Sequence, residues 1–286
     1  MNKKRFPSWL KTSISTSEQF NETQRQIGGI GINTICDHAN CPNKGECWAR
    51  GTATVLILGS NCTRNCKFCS VTNAKPEPVD VSEPDKVAEL VRRMQIKYLV
   101  ITSVTRDDLP DGGASHFRDV VLRSRAINPQ AKFEILTPDF SGVQEEALEI
   151  LSPAHPFVFS HNIETVREVF GTVRPEGDYT RSLRLLELAA GRFDTPVKSS
   201  FMLGLGESDE QVKRLLGDLL QTGVSRVSIG QYLKSNRDAV EVAEFVHPDK
   251  FAWWAEYAKS LGFSFVQSSP FTRSSYMADA ADSELA

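Results

Sequence analysis

From residue 52 onward, short apolar runs alternate with longer amphipathic stretches. The short runs are rich in β-branched and aromatic residues and are mostly apolar on both faces. That pattern is typical of parallel strands buried on two sides. The predicted strands are Thr54–Leu58, Tyr98–Val104, Lys132–Leu136, Phe157–Ser160, Val197–Leu203 and Arg226–Tyr232.

The amphipathic stretches between these runs have the end signals of helices. Predicted helix starts are Ser82, Asp178 and Ser208 as N-caps and Pro248 in a first turn, and predicted C-terminal glycines are Gly191, Gly223 and Gly262. Alternation of strand and helix predicts a parallel sheet with right-handed crossovers. We therefore expect an α/β fold, a partial (β/α)6 TIM-type barrel, with its chemistry at the carboxyl ends of the strands.

The barrel is expected to carry an extension at each end. The predicted divisions are an N-terminal extension over 1–51, the barrel over 52–262 and a C-terminal extension over 263–286. A glycine cluster at 28–33 does not follow a strand and open a helix, so it is no dinucleotide fingerprint, and a flexible loop is expected there. The small, acidic stretch after Tyr276 is expected to be disordered.

Charge and hydropathy exclude some classes of function. The 286 residues carry a net charge of −3 with a pI near 6.0, which argues against a nucleic-acid partner. No apolar run approaches the roughly 20 residues of a membrane helix. The N-terminus lacks the apolar core of a secretory signal. Its basic residues leave an organellar transit segment open, but Glu18 and Glu22 count against one, so a soluble cytoplasmic protein is expected.

All six cysteines lie between residues 36 and 69, in two triplets. The triplets are Cys36, Cys41 and Cys47, then Cys62, Cys66 and Cys69. A disulfide framework would spread its cysteines along the chain. In a reducing compartment, crowded cysteines indicate metal ligands or catalysts instead.

The second triplet has the spacing Cys-x3-Cys-x2-Cys and directly follows the first predicted strand. A structural zinc site needs four closed ligands. Three thiolates on one loop instead suit a [4Fe–4S] cluster with one iron left open for a ligand. Arg64 and Lys67 lie between the cysteines, where their charge could favour thiolates or simply face solvent.

This loop, CTRNCKFC, resembles the CxxxCxxC loop of the radical S-adenosylmethionine (SAM) enzymes. The resemblance implies that SAM binds the open iron through its amino and carboxylate groups. It also implies that the reduced cluster cleaves SAM to methionine and a 5′-deoxyadenosyl radical.

Both triplets together, with much of the remaining chain, resemble the lipoyl synthases. The matching segments, in the family's order, include CDHANCPNKGECW, YLVITSVTRDDLPDGGASHF, FEILTPDF, FSHNIETVREVFGTVRP, SSFMLGLGE, IGQYL and RSSY. Two positions depart from the commoner pattern of the family. Ser70 stands where many relatives have an acid, and Ser269 stands where glycine is usual.

The resemblance implies a second, auxiliary [4Fe–4S] cluster on the first triplet. Its fourth ligand is expected to be Ser275 of the RSSY motif, with Ser274 as the fallback. His38 could be imagined as a ligand, but a solvent-facing histidine is the expected role. A serine oxygen is a harder and poorer match for iron than a thiolate, which suits a cluster that must be dismantled.

The implied reaction inserts two sulfur atoms, at C6 and C8, into an octanoyl chain carried on a protein lysine. The auxiliary cluster is the expected sulfur donor, and one SAM is used for each hydrogen removed. The implied carriers are lipoyl domains of 2-oxoacid dehydrogenase complexes or the glycine-cleavage H protein. The implied reductant is a ferredoxin or flavodoxin, and no nucleic acid or membrane partner is expected.

Polar side chains at the predicted strand ends are candidates for contacts with SAM. They are Thr102, Ser103, Arg106, Asn162, Glu164, Ser199, Ser200 and Gln231, with Arg174 as a candidate partner for a carboxylate. Each could instead be a structural cap. Four apolar residues could line a slot for the octanoyl chain or pack in the core: Phe157, Phe159, Phe201 and Met202.

Two other functions fit some of these features. A radical SAM methylthiotransferase also carries two cysteine triplets, but it would place the first on a separate domain, and too few residues separate Cys47 from Cys62. A non-enzymatic iron–sulfur module for electron transfer or binding would not need a barrel of this size. Brown absorbance and about eight irons per chain, the sum of two cubanes, are expected for the two-cluster enzyme, whereas zinc without visible absorbance would indicate a zinc module.

Overall fold

One eight-stranded sheet organises the part of the chain that the computed structural model describes, residues 6–11, 17–39, 41–50 and 52–280. The strands are β1 (Asn33–Thr34), β2 (Thr54–Ile57), β3 (Asn61–Cys62), β4 (Thr72–Asn73), β5 (Tyr98–Ser103), β6 (Lys132–Leu136), β7 (Val158–Ser160), β8 (Val197–Leu203), β9 (Arg226–Gln231) and β10 (Phe265–Ser268). The sheet has the order β1-β2-β5-β6-β7-β8-β9-β10, and β3 and β4 form a separate small pair.

Helix α1 precedes the first strand, and the other helices lie between successive strands of the sheet. The helices are α1 (Glu18–Ile30), α2 (Ile35–His38), α3 (Lys44–Ala49), α4 (Glu83–Arg93), α5 (Ala114–Ile127), α6 (Gln144–Leu151), α7 (Arg167–Val173), α8 (Tyr179–Arg192), α9 (Asp209–Gln221) and α10 (Pro248–Leu261). Short 3-10 turns occupy Ser8–Leu10 and Ser152–Ala154. Within the described ranges, no helix is both long and apolar enough to cross a membrane.

The six predicted strands are confirmed, with ends within one residue, as β2 and β5 to β9. Among the strands of the described residues, every neighbouring pair from β2 to β10 in this sheet is parallel, and only β1 pairs antiparallel, with β2. The parallel sheet confirms the α/β barrel-type fold. Strand β10 was not predicted, because all four of its residues are half-buried and lack the two-sided apolar pattern. The division of the chain at 51/52 and 262/263 stays a prediction.

Most predicted helix ends are confirmed by hydrogen bonds. Ser208 forms a capping box with Gln211 at the start of α9, and the Asp178 carboxylate accepts the Arg181 N–H at the start of α8. Gly191, however, is wrong as a terminal glycine. Helix α8 continues through it to Arg192, and its C-cap is Phe193 in an extended conformation.

The expected flexible loop at residues 28–33 is also wrong. Gly28 and Gly29 form the last turn of α1, which ends at Gly31 with a φ of 74°. The helix is stabilised by packing, because Ile27 is buried and the Thr23 hydroxyl donates to the Trp48 carbonyl at 2.9 Å. Two adjacent glycines weaken helix propensity, but contacts to α3 outweigh that weakness.

The C-terminal segment after β10 lies against β9. The Gln231 N–H donates to the Pro270 carbonyl at 3.3 Å, and a Cβ built on Gly230 would lie 2.1 Å from the Thr272 carbonyl oxygen. Ala278 is buried, so the expected disorder after Tyr276 is wrong for residues 277–280. Residues 281–286 lie outside the described residues.

Replacing Gly230 with alanine is expected to lower the free energy of unfolding by about 2 kcal/mol, because the added methyl must push the C-terminal segment off the sheet. Chemical denaturation measures the change. Gly217→Ala is the matched control, since nothing lies within 4 Å of a Cβ at this position in α9. It should stabilise the protein by about 0.5–1 kcal/mol. Equal effects of the two variants would contradict the close approach.

Candidate functional site

A cavity of about 510 Å³ opens at the carboxyl ends of the strands. Its wall contains all three cysteines of the second triplet, together with Cys41 and Ser275 from opposite ends of the chain. The strand ends contribute Ser103, Asn162 and Met202 among other residues. The site therefore lies where a parallel barrel is expected to carry its chemistry.

A left-handed turn leads from β2 into the cysteine loop. Leu58 and Gly59 have φ values of 68° and 94°. The Glu83 carboxylate accepts the Leu58 N–H at 2.8 Å, and Arg106 donates to the Leu58 carbonyl at 3.2 Å. Leucine is rarely left-handed, so these two side chains hold the strained turn in place. Arg106, which the sequence made a candidate for contact with SAM, therefore stabilises this turn instead.

The loop itself closes through the parallel pairing of β3 with β4 and through hydrogen bonds to sulfur. The Cys62 Sγ accepts N–H groups from Arg64 at 3.4 Å and Thr105 at 3.3 Å, and the Cys69 Sγ accepts the Val71 N–H at 3.4 Å. Such donors stabilise thiolates and sulfur-bound metal clusters. All six cysteines are free of disulfides.

Arg64, between the first two cysteines of this loop, does not face solvent. Its guanidinium donates twice to Asp107, at 2.7 Å each, and lies 2.8 Å from Asp139. Asp139 is fully buried and also pairs with Arg181 of α8 at 2.8 Å. The two carboxylates hold the pKa of Arg64 above its ordinary value despite burial. This ion-pair network fixes the cysteine loop to the rest of the barrel.

Arg64→Met is expected to lower the free energy of unfolding by about 2 kcal/mol, because it removes one of the two ion-pair partners that buried Asp139 has among the described residues. Denaturant titration measures the loss. Arg184→Met is the matched control, since its ion pair with Glu145 is about two-thirds exposed on both sides and should contribute less than about 1 kcal/mol. Similar losses for the two variants would show that the network does not hold the loop.

The two triplets are joined by a hydrogen bond. The Ser70 hydroxyl, directly after the second triplet, donates to the His38 carbonyl at 2.7 Å. His38 lies in α2, half-buried, with its Nε2 3.3 Å from the Asn33 side-chain oxygen. The serine that departs from the family pattern therefore has a structural role in this chain, tying α2 to the cysteine loop.

The first triplet lies on α2, α3 and the loop between them. Cys36 of α2 is buried, and Cys47 of α3 is half-buried. Asn43 donates to the Phe271 carbonyl at 2.7 Å, and the Tyr276 hydroxyl donates to Glu46 at 2.9 Å. These contacts bring the RSSY segment against the triplet.

A second cavity, of about 540 Å³, adjoins the first triplet from the side on which β5 begins. Cys36, Cys41, Cys47 and Ser275 all line it. Cys41 and Ser275 line both cavities, and with Thr54 and Arg273 they form the partition between the two spaces. No three of the described His, Cys, Asp and Glu side chains gather as they would around one metal ion. In a cubane, each thiolate would hold a different iron.

Burial favours the protonated form of four thiols in the apoprotein. It raises the pKa of Cys47 and Cys69 to about 12, and it raises that of Cys36 as well. Burial likewise raises the pKa of Cys66 to about 11, against the opposing charge of Arg174. Iron must therefore displace protons when it binds these sulfurs. Sulfur donors converging on two cavities fit iron–sulfur clusters by the chemistry of the donor set.

Three polar atoms in or beside the first cavity are buried and have no hydrogen-bond partner among the described residues. They are Ser103 Oγ, His161 Nε2 and Asn162 Oδ1. The His161 Nδ1 lies 2.9 Å from the Thr137 carbonyl and must carry the proton, so Nε2 is an acceptor. Burial lowers the pKa of His161 to about 4, which keeps the ring neutral. These atoms fit a polar ligand such as SAM.

Glu164 and Arg174 face each other across the same space. Glu164 has a φ of 69°, and its backbone bonds to Ser200 at 3.0 Å and Met202 at 2.9 Å on β8. Burial raises the pKa of its carboxyl, while Arg174 acts in the opposite direction. Arg174 donates to the Asn162 carbonyl at 3.1 Å and lies over the Phe170 ring. A left-handed glutamate at a cavity wall is the kind of strain found at binding sites.

Among the remaining candidates, Thr102 and Ser200 line the cavity, whereas Ser199 is fully buried and its hydroxyl accepts the Ile163 N–H at 3.2 Å. Gln231 lines the cavity, but its amide is used by backbone groups. It donates to the carbonyls of Leu203, Tyr232 and Glu244 and accepts the Val246 N–H. We therefore leave Gln231 out of the proposed SAM contacts.

Of the four apolar candidates, two line the cavity. Phe201 and Met202 face it, while Phe157 and Phe159 pack against Phe193 in the core. Two of the four residues are therefore placed to contact an acyl chain in this cavity.

Comparison with known proteins identifies the family. The radical SAM superfamily matches residues 56–219. The chain is 45% identical over 275 residues to the lipoyl synthase of Caldicellulosiruptor saccharolyticus, covering 96% of both chains. It is 46% identical over 274 residues to that of Chlorobium limicola, covering 96% of this chain and 94% of the relative. The chain belongs to the lipoyl synthase family.

Solved structures agree with the fold of this lipoyl synthase family member. The FeFe-hydrogenase maturase HydG from Carboxydothermus hydrogenoformans has a TM-score of 0.58 and 11% identity, covering 93% of this chain and 78% of HydG. Streptococcus suis SuiB bound to S-adenosylmethionine has a TM-score of 0.57 and 12% identity, covering 74% and 49%. At such identities the likeness shows the fold alone.

Sequence reasoning missed several residues of this site. His161 and Asp139 follow predicted strands, as the candidates for contact with SAM do. Their position in the sequence could therefore have marked them as residues of the site. Lys198 and Glu134 lie inside strands, where a single charged residue gives no indication of its partner. Their pairing becomes visible only in three dimensions.

Proposed function

We propose that this chain is a lipoyl synthase that inserts two sulfur atoms at C6 and C8 of a protein-bound octanoyl-lysine. One observation carries the proposal. The six thiols and Ser275, which the likeness to lipoyl synthases marks as ligands, line two cavities that share Cys41 and Ser275. A substrate in the first cavity would therefore lie beside both groups of ligands.

The second triplet would hold the cluster that binds SAM, and the first triplet with Ser275 would hold the auxiliary cluster. When bound, these groups supply the electron that cleaves SAM and the sulfur that is inserted. The protein supplies position and exclusion of water, since unactivated C–H bonds have no acid or base route.

The cavity wall supplies distinct contacts for the two ligands. Ser103 Oγ, Asn162 Oδ1 and His161 Nε2 would bind polar groups of SAM, because each is buried without a partner among the described residues. The positive charge of Arg174 would balance the negative charge of a bound carboxylate group. Phe201 and Met202 would pack on the octanoyl chain and keep water from the reacting carbons.

The expected substrates are octanoylated lipoyl domains of 2-oxoacid dehydrogenase complexes or the glycine-cleavage H protein. The expected reductant is a ferredoxin or flavodoxin. A cytoplasmic location, without nucleic-acid or membrane partners, belongs to the same proposal. Neither a methylthiotransferase nor a non-enzymatic iron–sulfur module is supported by the curated relatives.

In the test, the protein is reconstituted anaerobically, reduced, and mixed with SAM and an octanoyl-lysyl peptide. The expected results are about eight irons per chain, as in two cubanes, and a peptide whose mass gains two sulfur atoms. Zinc without visible absorbance, or SAM cleavage that leaves the peptide mass unchanged, would overturn the proposal.

A further inference from the structure

A buried ion pair crosses the interior of the barrel. The Lys198 Nζ of β8 lies 3.0 and 3.1 Å from the two carboxylate oxygens of Glu134 on β6. The side chains are only 4% and 1% exposed. Residues two apart in a strand share a face, and Ser200 and Leu136, two residues further along these strands, line the first cavity. The pair therefore lies on the cavity side of the sheet, one layer below it.

The third hydrogen-bond donor of this ammonium leaves the pair. Lys198 Nζ lies 2.5 Å from the backbone carbonyl oxygen of Ser274 in the RSSY segment. A lysine has three N–H donors, and here all three have acceptors. The Tyr98 hydroxyl donates to Glu134 Oε2 at 3.1 Å, which fixes the carboxylate that holds the lysine.

We propose that Lys198 is a positioning residue for Ser275, with Glu134 and Tyr98 as its supports. The Ser274 carbonyl and the Ser275 nitrogen belong to one planar peptide unit. A charge-assisted hydrogen bond to that carbonyl sets the orientation of the plane, and with it the direction in which Ser275 leaves the backbone. The proposal rests on the role of Ser275 as the fourth ligand of the auxiliary cluster.

Stability alone does not account for this arrangement. Replacing a buried ion pair with apolar residues is often neutral or stabilising, because desolvation offsets the attraction. A charged pair directed at one backbone carbonyl instead supplies a fixed position. Just before the RSSY motif, the Thr272 backbone packs closely against Gly230, which has no side chain to block it. At the end of the motif, the Tyr276 hydroxyl donates to Glu46. Lys198 holds the residue between these two contacts.

The chemistry of the ligand explains the need for such support. A serine oxygen is a poor match for iron in a sulfide cluster compared with a cysteine thiolate. Its binding therefore depends on being held in place before the cluster arrives, as for other preorganised ligands. Weakening that support should loosen the auxiliary cluster and leave the SAM-binding cluster intact.

The test measures iron release to a ferrous chelator from full-length protein in which Cys62, Cys66 and Cys69 are alanine, so that only the auxiliary cluster remains. Lys198→Met should release iron about tenfold faster than this parent, as expected for loss of one charge-assisted hydrogen bond. Lys213→Met, a surface lysine paired with exposed Glu210, is the control and should stay within about twofold.

Ser275→Cys separates positioning from general weakening. A thiolate binds iron strongly enough to need less support, so adding Ser275→Cys to Lys198→Met should slow release to within about twofold of Ser275→Cys alone. If Lys198→Met does not fold, Glu134→Gln with Lys198→Met replaces it, since that variant buries no unpaired charge. Release at the parent rate from the folded variant, or no rescue by the cysteine, overturns the proposal. A parent without bound iron overturns the auxiliary cluster itself.

Discussion

Cys66→Ala is expected to abolish both SAM cleavage and sulfur insertion. Cys66 lies in the first cavity beside Arg174, between two cysteines whose sulfurs accept backbone N–H groups. Removing the middle thiolate of three leaves a cluster with two protein ligands. Removing a residue that hydrogen-bonds a metal ligand already lowers metal affinity or activity about 10–100-fold. Removing the ligand itself should therefore lower activity by more than about a hundredfold.

Two products report the result: 5′-deoxyadenosine by chromatography and the octanoyl peptide by mass spectrometry. Both should fall to background, and iron content should fall by about four per chain. Ser70→Ala is the control for disturbance of the loop, since it removes only the hydrogen bond to the His38 carbonyl. Continued production of 5′-deoxyadenosine by Cys66→Ala would disprove the assignment of the second triplet.

Cys41→Ala and Ser275→Ala should lose sulfur insertion while SAM cleavage survives. Both residues lie at the partition between the two cavities, and neither belongs to the loop that would bind SAM. We expect insertion to fall by more than about a hundredfold for Cys41→Ala, because a thiolate ligand is lost. Formation of 5′-deoxyadenosine without a gain in peptide mass is the distinguishing result.

Ser274→Ala is the matched control for Ser275→Ala. It removes the neighbouring hydroxyl but keeps the backbone carbonyl that Lys198 binds. It should retain insertion. If Ser274→Ala loses insertion and Ser275→Ala keeps it, the fallback serine is the ligand, and the proposed role of Lys198 falls with that result.

The sequence by itself determined the strands that form the barrel. Buried parallel strands are mostly apolar on both faces, so β2 and β5 to β9 are visible in the pattern of residues alone. Helix α1 and strand β10 were missed because their stability comes from packing. The last turn of α1 contains two glycines, and β10 is a half-buried edge strand.

The cysteine triplets were likewise determined by the sequence, because ligand spacing on one loop is a local property. Their convergence with Ser275 was suggested only by resemblance, and no local pattern could supply it. Tertiary structure decided the roles of the polar residues. The Arg64 guanidinium is buried against two carboxylates, and the side-chain amide of Gln231 is hydrogen-bonded to backbone groups.

Only tertiary structure showed the pairing of Lys198 with Glu134 and the Ser274 carbonyl. A buried charge needs a partner, and a chain's sequence does not say which of many distant groups provides it. The physical reason is the separation along the sequence of the residues involved. Strand and ligand-loop patterns depend on residues a few positions apart, whereas the partner of a buried charge is decided by the fold of the whole sheet.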